Sequence, residues 1–267
     1  VGATACKIDN TMYVLAHHVD SKYTSVLYKH DLDKIDSKLE VVANLSSSLV
    51  SDLYERFTKV SMTPLNDRYI VMIPYNGVRT YDTPACKLNI FVFDTITNQM
   101  THLIEDSDET TSETFVVEGN GKVIVIGNTS NYEVTIVSNT PSIESNTHEY
   151  FRNFDLTANG GLNAKQIIQA VRLGRFSIAA IPFRDKIVLY AFDIENDEES
   201  TTDESFSHSI DYSDRCVNPQ VFVNGEYVYL AKGSKDQSEL IRFNYSEIAG
   251  LKVGSDESRM HTLFGTH

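Results

Sequence analysis

The chain has 267 residues, of which 41% are hydrophobic, enough for the core of one large all-β domain or of two small domains. Its formal net charge is −14, and it has no cluster of Lys and Arg, which argues against nucleic acid as a partner. The absence of Trp weakens hypotheses that depend on stacking against sugars, whereas 14 Tyr and 13 Phe suit half-buried strands.

The predicted elements are short β-strands in groups of four, separated by turns rich in Gly, Asn, Asp and Pro. The first group is predicted over residues 3–8, 12–19, 24–32 and 39–44. A short helical segment is predicted over 46–57, where Leu49, Leu53 and Phe57 recur at helical spacing. The second group is predicted over residues 58–65, 69–74, 88–94 and 99–104. A long insertion over 75–87 is expected to project from its rim.

Three further groups follow. The third is predicted over residues 114–118, 122–127, 133–138 and 148–153. It contains the clearest hairpin signal of the chain, Gly119-Asn120-Gly121. The fourth is predicted over residues 166–172, 176–182, 187–194 and 206–211. The fifth is predicted over residues 219–223, 227–232, 239–244 and 259–265. Two acidic stretches, 105–113 and 195–204, are predicted to be mobile loops because their like charges repel.

The groups are copies of one unit. In the second and fourth groups, an apolar strand ends in Ile-Pro-aromatic, and the next strand ends in Phe93-Asp94 or Phe192-Asp193. The second strands lie at about residues 13, 69, 123, 177 and 227, roughly 50 to 56 residues apart, and five such periods use up the chain. This arithmetic predicts a single all-β domain over 1–267, a five-bladed β-propeller of four-stranded antiparallel blades.

The predicted blades span residues 1–45, 57–105, 113–153, 165–211 and 217–266. The innermost strand of each blade is expected to line a central channel. Each blade is complete in sequence order, so the ring is expected to close by packing the fifth blade against the first.

One stretch of the second group resembles the repeat of kelch-type propellers. In Phe91-Val92-Phe93-Asp94-Thr95-Ile96-Thr97-Asn98, an aromatic third strand runs into an Asp-x-x-Thr-Asn turn. The rhythm extends over all five groups, but the second group carries the turn best. The chain lacks the paired glycines and the Trp of kelch repeats, and the Trp-Asp of WD40 repeats, so it resembles a divergent propeller. A kelch-like resemblance implies a protein-binding platform, often in scaffolds and ubiquitin-ligase adaptors.

Three carboxylates occupy matching places where the first strand of a group turns into the second, namely Asp9, Asp67 and Glu118. Five-bladed propellers include glycosidases whose carboxylates converge on the channel, so these residues are the candidate catalytic acid and base. They can equally be turn residues, because Asp and Asn are favoured in tight hairpins. Asn224 at the matching place of the fifth group favours the turn interpretation.

No metal or cofactor site is predicted. His17 and His18 are adjacent on a predicted strand and would point to opposite faces, so they could not bind one metal together. Asp106 and Asp108 lack the Gly and the final Glu of a calcium-binding loop. The three cysteines have no metal-type spacing.

Two sets of residues are candidates for contact with a protein partner. The insertion over 75–87 contains Tyr75, Arg79 and Tyr81, residue types that are enriched at interface hot spots. Arg172 and Arg175 in the fourth group form a second, weaker set. Each set could instead be structural, the first as a loop packed on its own blade and the second as ion-pair partners of nearby acids.

The sequence therefore predicts a non-enzymatic protein–protein interaction module, a scaffold or adaptor domain of a larger protein or complex. An acidic surface favours basic protein partners, and the lack of a long apolar run predicts no membrane insertion. Two alternatives stay open, a propeller that acts on or binds carbohydrate and a structural domain that forms homo-oligomers. Three cysteines without a pairing pattern favour a cytoplasmic or nuclear location, although the chain begins at Val1, so a leader could precede it.

Overall fold

A computed structural model provides the coordinates. It describes residues 2–18, 24–34, 36, 38–45, 59–75, 87–110, 114–119, 121–127, 130–146, 167–173, 176–182, 186–193, 207–211, 220–224, 227–233 and 238–244. The predicted helical segment over 46–57 and the predicted strand over 259–265 lie outside these ranges. In the described ranges, no helix has the length and apolar character needed to cross a membrane.

The chain divides into two compact units, Val1–Asn146 with Lys165–Ile167, and Thr147–Ala164 with Ile168–His267. In the first unit, antiparallel sheet A consists of β1 (Gly2–Ile8), β2 (Thr11–His18), β3 (Thr24–Asp31) and β4 (Glu40–Asn44). Antiparallel sheet B consists of β5 (Lys59–Leu65), β6 (Tyr69–Tyr75), β7 (Lys87–Asp94) and β8 (Gln99–Thr110). Meander C consists of β9 (Phe115–Gly119), β10 (Lys122–Ile126), β11 (Asn131–Val137) and β12 (Thr140–Asn146).

The second unit continues the same pattern. Meander D consists of β13 (Ile168–Leu173), β14 (Phe176–Pro182), β15 (Lys186–Asp193) and β16 (Ser207–Asp211). Sheet E consists of β17 (Gln220–Asn224), β18 (Tyr227–Gly233) and β19 (Ser238–Asn244). All recorded pairings within these groups are antiparallel between sequence neighbours, which is the strand order of a propeller blade.

The prediction of an all-β chain that resembles a β-propeller is confirmed, but the predicted count of five blades is wrong. A blade is a sheet of its own, and the strands form four sheets. The described strands therefore give four blades rather than five. A repeat in the sequence fixes the number of meanders but not which strand edges remain unpaired.

One local prediction in the first unit is also wrong, and one strand was not predicted. The acidic stretch after Ile104 was expected to be a loop, but β8 continues through it to Thr110. Two of its carboxylates have partners, since the Lys87 ammonium lies 3.2 Å from Glu105, and the Tyr132 hydroxyl donates a hydrogen bond to Asp106. The sequence did not predict β12, which pairs with β11 because a tight turn at Ser138 and Asn139 reverses the chain, and the predicted strand over 148–153 lies outside the described residues.

Sheet B is buried on both faces, and strict alternation divides its side chains between two cores. In β6, Tyr69, Val71 and Ile73 join the core shared with meander C, whereas Ile70 and Met72 join the core shared with sheet A. Successive strand residues point to opposite faces, so a continuous apolar run is what a sheet covered on both sides requires. The central strands β6 and β7 therefore show no alternation of polar and apolar residues.

Sheet E has one buried and one exposed face. Val221, Val228, Leu230 and Phe243 belong to the core that this sheet shares with β14 and β15. On the other face, the Phe222 and Tyr229 rings stack with centroids 5.1 Å apart, and the Arg242 guanidinium lies 4.6 Å from the centre of the Tyr227 ring. These exposed rings thus contact one another or Arg242 with their flat faces.

Two buried hydroxyl groups, those of Ser61 and Ser177, have no hydrogen-bond partner within the described structure. Ser177 is fully buried, and an unsatisfied buried hydroxyl is destabilising because it has lost its bonds to water. We expect Ser177→Ala to raise the free energy of unfolding by about 1 kcal/mol in urea titrations. Ser61→Ala should act in the same direction. A loss of stability in both variants would contradict the assignment of these hydroxyls as unsatisfied.

Candidate functional site

The first unit presents six tight connections along one edge of its sheets. In an antiparallel meander, the first and third connections lie at the same edge. We call the edge formed by these connections in sheet A, sheet B and meander C the turn edge. It consists of the described residues of the connections at 9–10, 32–39, 66–68, 95–98 and 138–139, together with Gly121.

Direct contacts place the connections of sheet B and meander C side by side. The Tyr69 hydroxyl donates a 3.0 Å hydrogen bond to the carbonyl of Asn139. A Cβ atom on Gly121 would lie 3.5 Å from Oδ1 of Asn66, which is ordinary van der Waals contact. Sheet A meets sheet B near the same edge, because Ile8 and Phe93, each next to its connection, share one core.

The backbone explains which residue types occupy these connections. Every residue of the described ranges with a positive φ lies at the turn edge, namely Asp9, Asn66, Asn98, Gly121, Ser138 and Asn139. Asn, Asp and Gly enter this left-handed region at the lowest cost. The connections between Ile8 and Thr11 and between Val137 and Thr140 are two-residue hairpin turns, and each contains at least one residue with a positive φ.

The Asp94 carboxylate organises the connection between β7 and β8. It receives hydrogen bonds from Arg68 Nε at 2.8 Å and Arg68 Nη2 at 2.6 Å, so the ion pair is bidentate. It also accepts from the Ile96 backbone N–H at 2.9 Å and the Thr97 hydroxyl at 2.9 Å. The hydrogen bond from Arg68 is the main reason that the pKa of Asp94 is well below its usual range, although burial acts in the opposite direction.

The same device recurs in sheet A at Asp31. The Asp33 N–H donates to Oδ1 of Asp31 at 3.0 Å, as the Ile96 N–H does to Asp94. Lys34 takes the place of the arginine and lies 3.0 Å from Asp31, and its hydrogen bond lowers the pKa of that carboxyl. The repeat seen in the sequence thus encodes a repeated turn structure.

Large aliphatic side chains are exposed on these fixed connections. Ile96 is 71% exposed and Val137 is 59% exposed, while Leu32 and Leu39 flank the connection between β3 and β4 at 38% and 50%. Isolated exposed aliphatic residues are common, but here each outer connection of the first unit carries at least one. These residues lie at the third connection of sheet A, of sheet B and of meander C in turn, and in this sense they form a row.

The predicted catalytic carboxylates fall at or next to this edge. Asp9 has a φ of 48° and is exposed, as expected of a turn residue. Asp67 is exposed in the connection between Leu65 and Tyr69. Glu118 instead lies inside β9, paired with Val123. The first two therefore have structural reasons to be acidic that involve no substrate, and their catalytic role stays a prediction.

Glu118 lies within electrostatic range of Cys6 on β1. Burial, and secondarily the charge of Glu118, raise the pKa of the Cys6 thiol to about 12. A thiol with this pKa is protonated at neutral pH and is a poor nucleophile. The neighbourhood of Cys6 and Glu118 therefore provides no nucleophile for covalent catalysis.

Of the five predicted partner-binding residues, only Tyr75 has its side chain in the described part of the structure. Tyr75 ends β6 at the edge opposite the turn edge, where it packs against the core of sheet B and meander C. Burial raises the pKa of its hydroxyl to about 12. Arg172 is on β13 opposite Ser177, and its side chain is outside the described part, as are Arg79, Tyr81 and Arg175. Their roles stay predictions.

Sequence reasoning missed the exposed aliphatic residues of the turn edge. A signal was available, because Ile96 lies inside the Asp-x-x-Thr pattern, where the polar residues bond to the turn and an apolar residue has no structural task. Val137 gave no comparable signal. Its exposure follows from its place at the end of β11, next to a hairpin turn that the sequence did not predict.

Comparisons with known proteins bear on the fold. No family model and no curated protein matches the chain. Among solved structures, it is similar to a luciferin-regenerating enzyme, with a TM-score of 0.54 and 10% identity over 91% of this chain and 76% of that one. It is also similar to a GH43_1 enzyme from Xanthomonas citri in complex with xylotriose, with a TM-score of 0.52 and 7% identity over 91% of this chain and 86% of that one.

A prolyl endopeptidase matches with a TM-score of 0.46 and 12% identity over 92% of this chain, which spans only 33% of that enzyme's chain. At such identities, the similarities concern the fold alone. The similarities to the luciferin-regenerating enzyme and the GH43_1 enzyme agree with antiparallel sheets of the β-propeller type, and none of the three carries an activity over to this chain.

Proposed function

We propose that the chain is a non-enzymatic protein-interaction module and that the turn edge is its contact surface. One observation carries this proposal, the row of exposed aliphatic side chains on connections that are fixed by hydrogen bonds and ion pairs. Exposed apolar groups held in one conformation lose little entropy when they bind, so more of their burial remains as affinity. A surface of this kind fits a protein partner.

Carbohydrate chemistry is the main competitor, and it has less support. Similarity in fold to a structure that holds xylotriose would suit it. However, Asp9 and Asp67 lie in turns, where acidic residues are favoured for structural reasons. A sugar would stack on the flat face of an aromatic ring, and in sheet E Phe222 already stacks on Tyr229, and Arg242 lies over the Tyr227 ring. The same proposal includes a kelch-like identity, which the turn at Asp94 supports. It also includes an intracellular location, which the odd number of three cysteines supports.

The proposal predicts that Ile96→Ser combined with Val137→Ser removes partner binding. We expect partners captured from an extract of the source cells, measured by quantitative mass spectrometry, to fall about tenfold or more, because two aliphatic contacts are lost. The matched control is Val41→Ser combined with Leu240→Ser, which changes side chains of similar size that are 66% and 62% exposed on strands.

Three outcomes would overturn the proposal. Equal losses in the two double variants would remove the turn edge from the contact surface. Hydrolysis of any member of a glycan panel, abolished by Glu118→Gln, would favour the carbohydrate alternative. Light scattering that shows a stable oligomer, broken by the Ile96 and Val137 substitutions, would assign the same surface to self-association instead.

A further inference from the structure

We infer that the segment bound at the turn edge is basic as well as aliphatic, an inference that rests on the proposed function. The edge holds more acidic than basic groups. Of its three cations, Lys34 and Arg68 are engaged with Asp31 and Asp94 at 3.0 Å and 2.6 Å, and the third, Lys38, is exposed in the connection that follows β3. Cations in such pairs contribute little field beyond their own partners.

Four further carboxylates lie at this edge, those of Asp9, Asp33, Asp36 and Asp67. Asp33 accepts hydrogen bonds from the neutral Asn10 side chain at 3.0 and 3.2 Å. Asp9 and Asp67 are exposed in the connections that follow β1 and β5. In chain order they alternate with the aliphatic side chains of Leu32 and Ile96, which belong to the connections that follow β3 and β7.

Exposed carboxylates and exposed aliphatic side chains on the same edge define the chemistry of the bound segment. Lys or Arg side chains would reach the carboxylates, while Leu, Ile or Val side chains cover the exposed aliphatic groups. Complementary charge sets register and specificity more than raw affinity, and rim charges of this kind lose their effect as salt rises. An acidic or uncharged apolar segment would leave the same carboxylates unpaired or facing like charge.

The test uses two labelled synthetic decapeptides, one alternating Lys and Leu and one alternating Glu and Leu, titrated by fluorescence anisotropy against the full chain. We expect the Lys-Leu peptide to bind and the Glu-Leu peptide to fail. Asp9→Asn combined with Asp67→Asn should weaken binding about fivefold at low salt, and this difference should vanish at high salt. Asn is chosen because it tolerates the left-handed conformation of Asp9.

The control is Glu144→Gln combined with Glu239→Gln, which removes the same net charge from exposed positions on β12 and β19. It should change affinity less than twofold. Equal losses in the two double variants would reduce the effect to net charge and overturn the inference. If the Ile96 and Val137 variant loses partners while the Asp9 and Asp67 variant binds the Lys-Leu peptide like the native chain, the proposed function stands and the inference falls. If neither variant loses binding, both fall.

Discussion

Replacing Asp94 by alanine is expected to lower the free energy of unfolding by about 2 to 4 kcal/mol. The substitution leaves Arg68 without its bidentate partner and removes the acceptor of the Ile96 N–H and the Thr97 hydroxyl. The side chains of Arg68 and Asp94 are only 29% and 15% exposed, so water compensates incompletely for the lost bonds. Urea unfolding followed by tyrosine fluorescence and circular dichroism measures the effect, and the absence of Trp simplifies the optical signal.

The matched control for this experiment is Asp31→Ala. Asp31 holds the corresponding turn in sheet A, but its partner Lys34 is 74% exposed, and water can replace the ion pair. The loss of stability should therefore be clearly smaller than for Asp94→Ala. Equal effects at the two positions would show that turn geometry, and not the partly buried ion pair, determines the stability at Asp94.

The pH dependence gives an independent check on Asp94. Its pKa is lower in the folded chain than in the unfolded chain, so the unfolded state binds the proton more readily. The stabilisation by Asp94 is therefore fully present above the unfolded value of about 3.9 and is lost as the pH falls through the folded value. We expect the stability difference between the native chain and Asp94→Ala to shrink progressively below about pH 4. A constant difference down to pH 2 would contradict the ion pair.

Local turn chemistry made much of the strand pattern predictable. The turn at Gly121 and the Asp94 turn each depend on a few neighbouring residues, so their conformation is encoded within the segment itself. Strand β14 has the bounds that the sequence predicted. Strands β6 and β10 each differ from their predicted bounds by one residue at the C-terminal end. Alternation and turn residues together suffice for elements of this kind.

Features that depend on neighbouring sheets were not predictable from local sequence. Strand β8 continues into an acidic stretch because Lys87 and Tyr132 supply partners from other strands. Charge repulsion within the segment argued for a loop, but contacts distant in sequence outweigh it. The number of sheets likewise depends on which strands pair at their edges. In the sequence, residues such as Val116 and Val125 look the same whether the edge of their strand is paired or unpaired.

The candidate site was predictable only in part, for a related reason. The sequence singled out Asp9 and Asp67 because carboxylates at repeated positions attract attention, and their turns explain them. Exposure is a property of the folded chain, so Val137 could not be distinguished from a core valine such as Val134, which is fully buried three residues earlier. Pattern reasoning located the edge but not the residues that it presents.

The Asp94 turn connects stability with the proposed function. The hydrogen bond from the Ile96 N–H to Asp94 fixes the backbone that carries the most exposed aliphatic side chain of the edge. An Asp94→Ala chain that stays folded should therefore also bind partners less well, because Ile96 would have to be ordered on binding. The side chain of Ile96 itself contributes nothing to the core, which is why its replacement separates binding from folding.

Replacing Phe93 by alanine is expected to destabilise the chain by about 3 to 5 kcal/mol. Phe93 is fully buried in the core that joins sheets A and B, where Ile70 lies opposite it on β6 and Met100 opposite it on β8. Removing the ring loses the free energy gained by burying its apolar surface. It also leaves a cavity that these strands can fill only in part. Since domains are stable by about 5 to 15 kcal/mol in total, this loss takes a large share of the available stability.

Two further variants make the Phe93 result interpretable even if the alanine chain does not fold. Phe93→Leu keeps most of the buried volume and should cost less than half as much, so it remains measurable by urea unfolding. Ile96→Ala, three residues further on and 71% exposed before substitution, should change stability by less than about 0.5 kcal/mol. A Phe93→Leu effect no larger than that of Ile96→Ala would show that sheets A and B do not share this core, and the register of β7 would then have to be shifted by one residue, which moves every side chain to the opposite face.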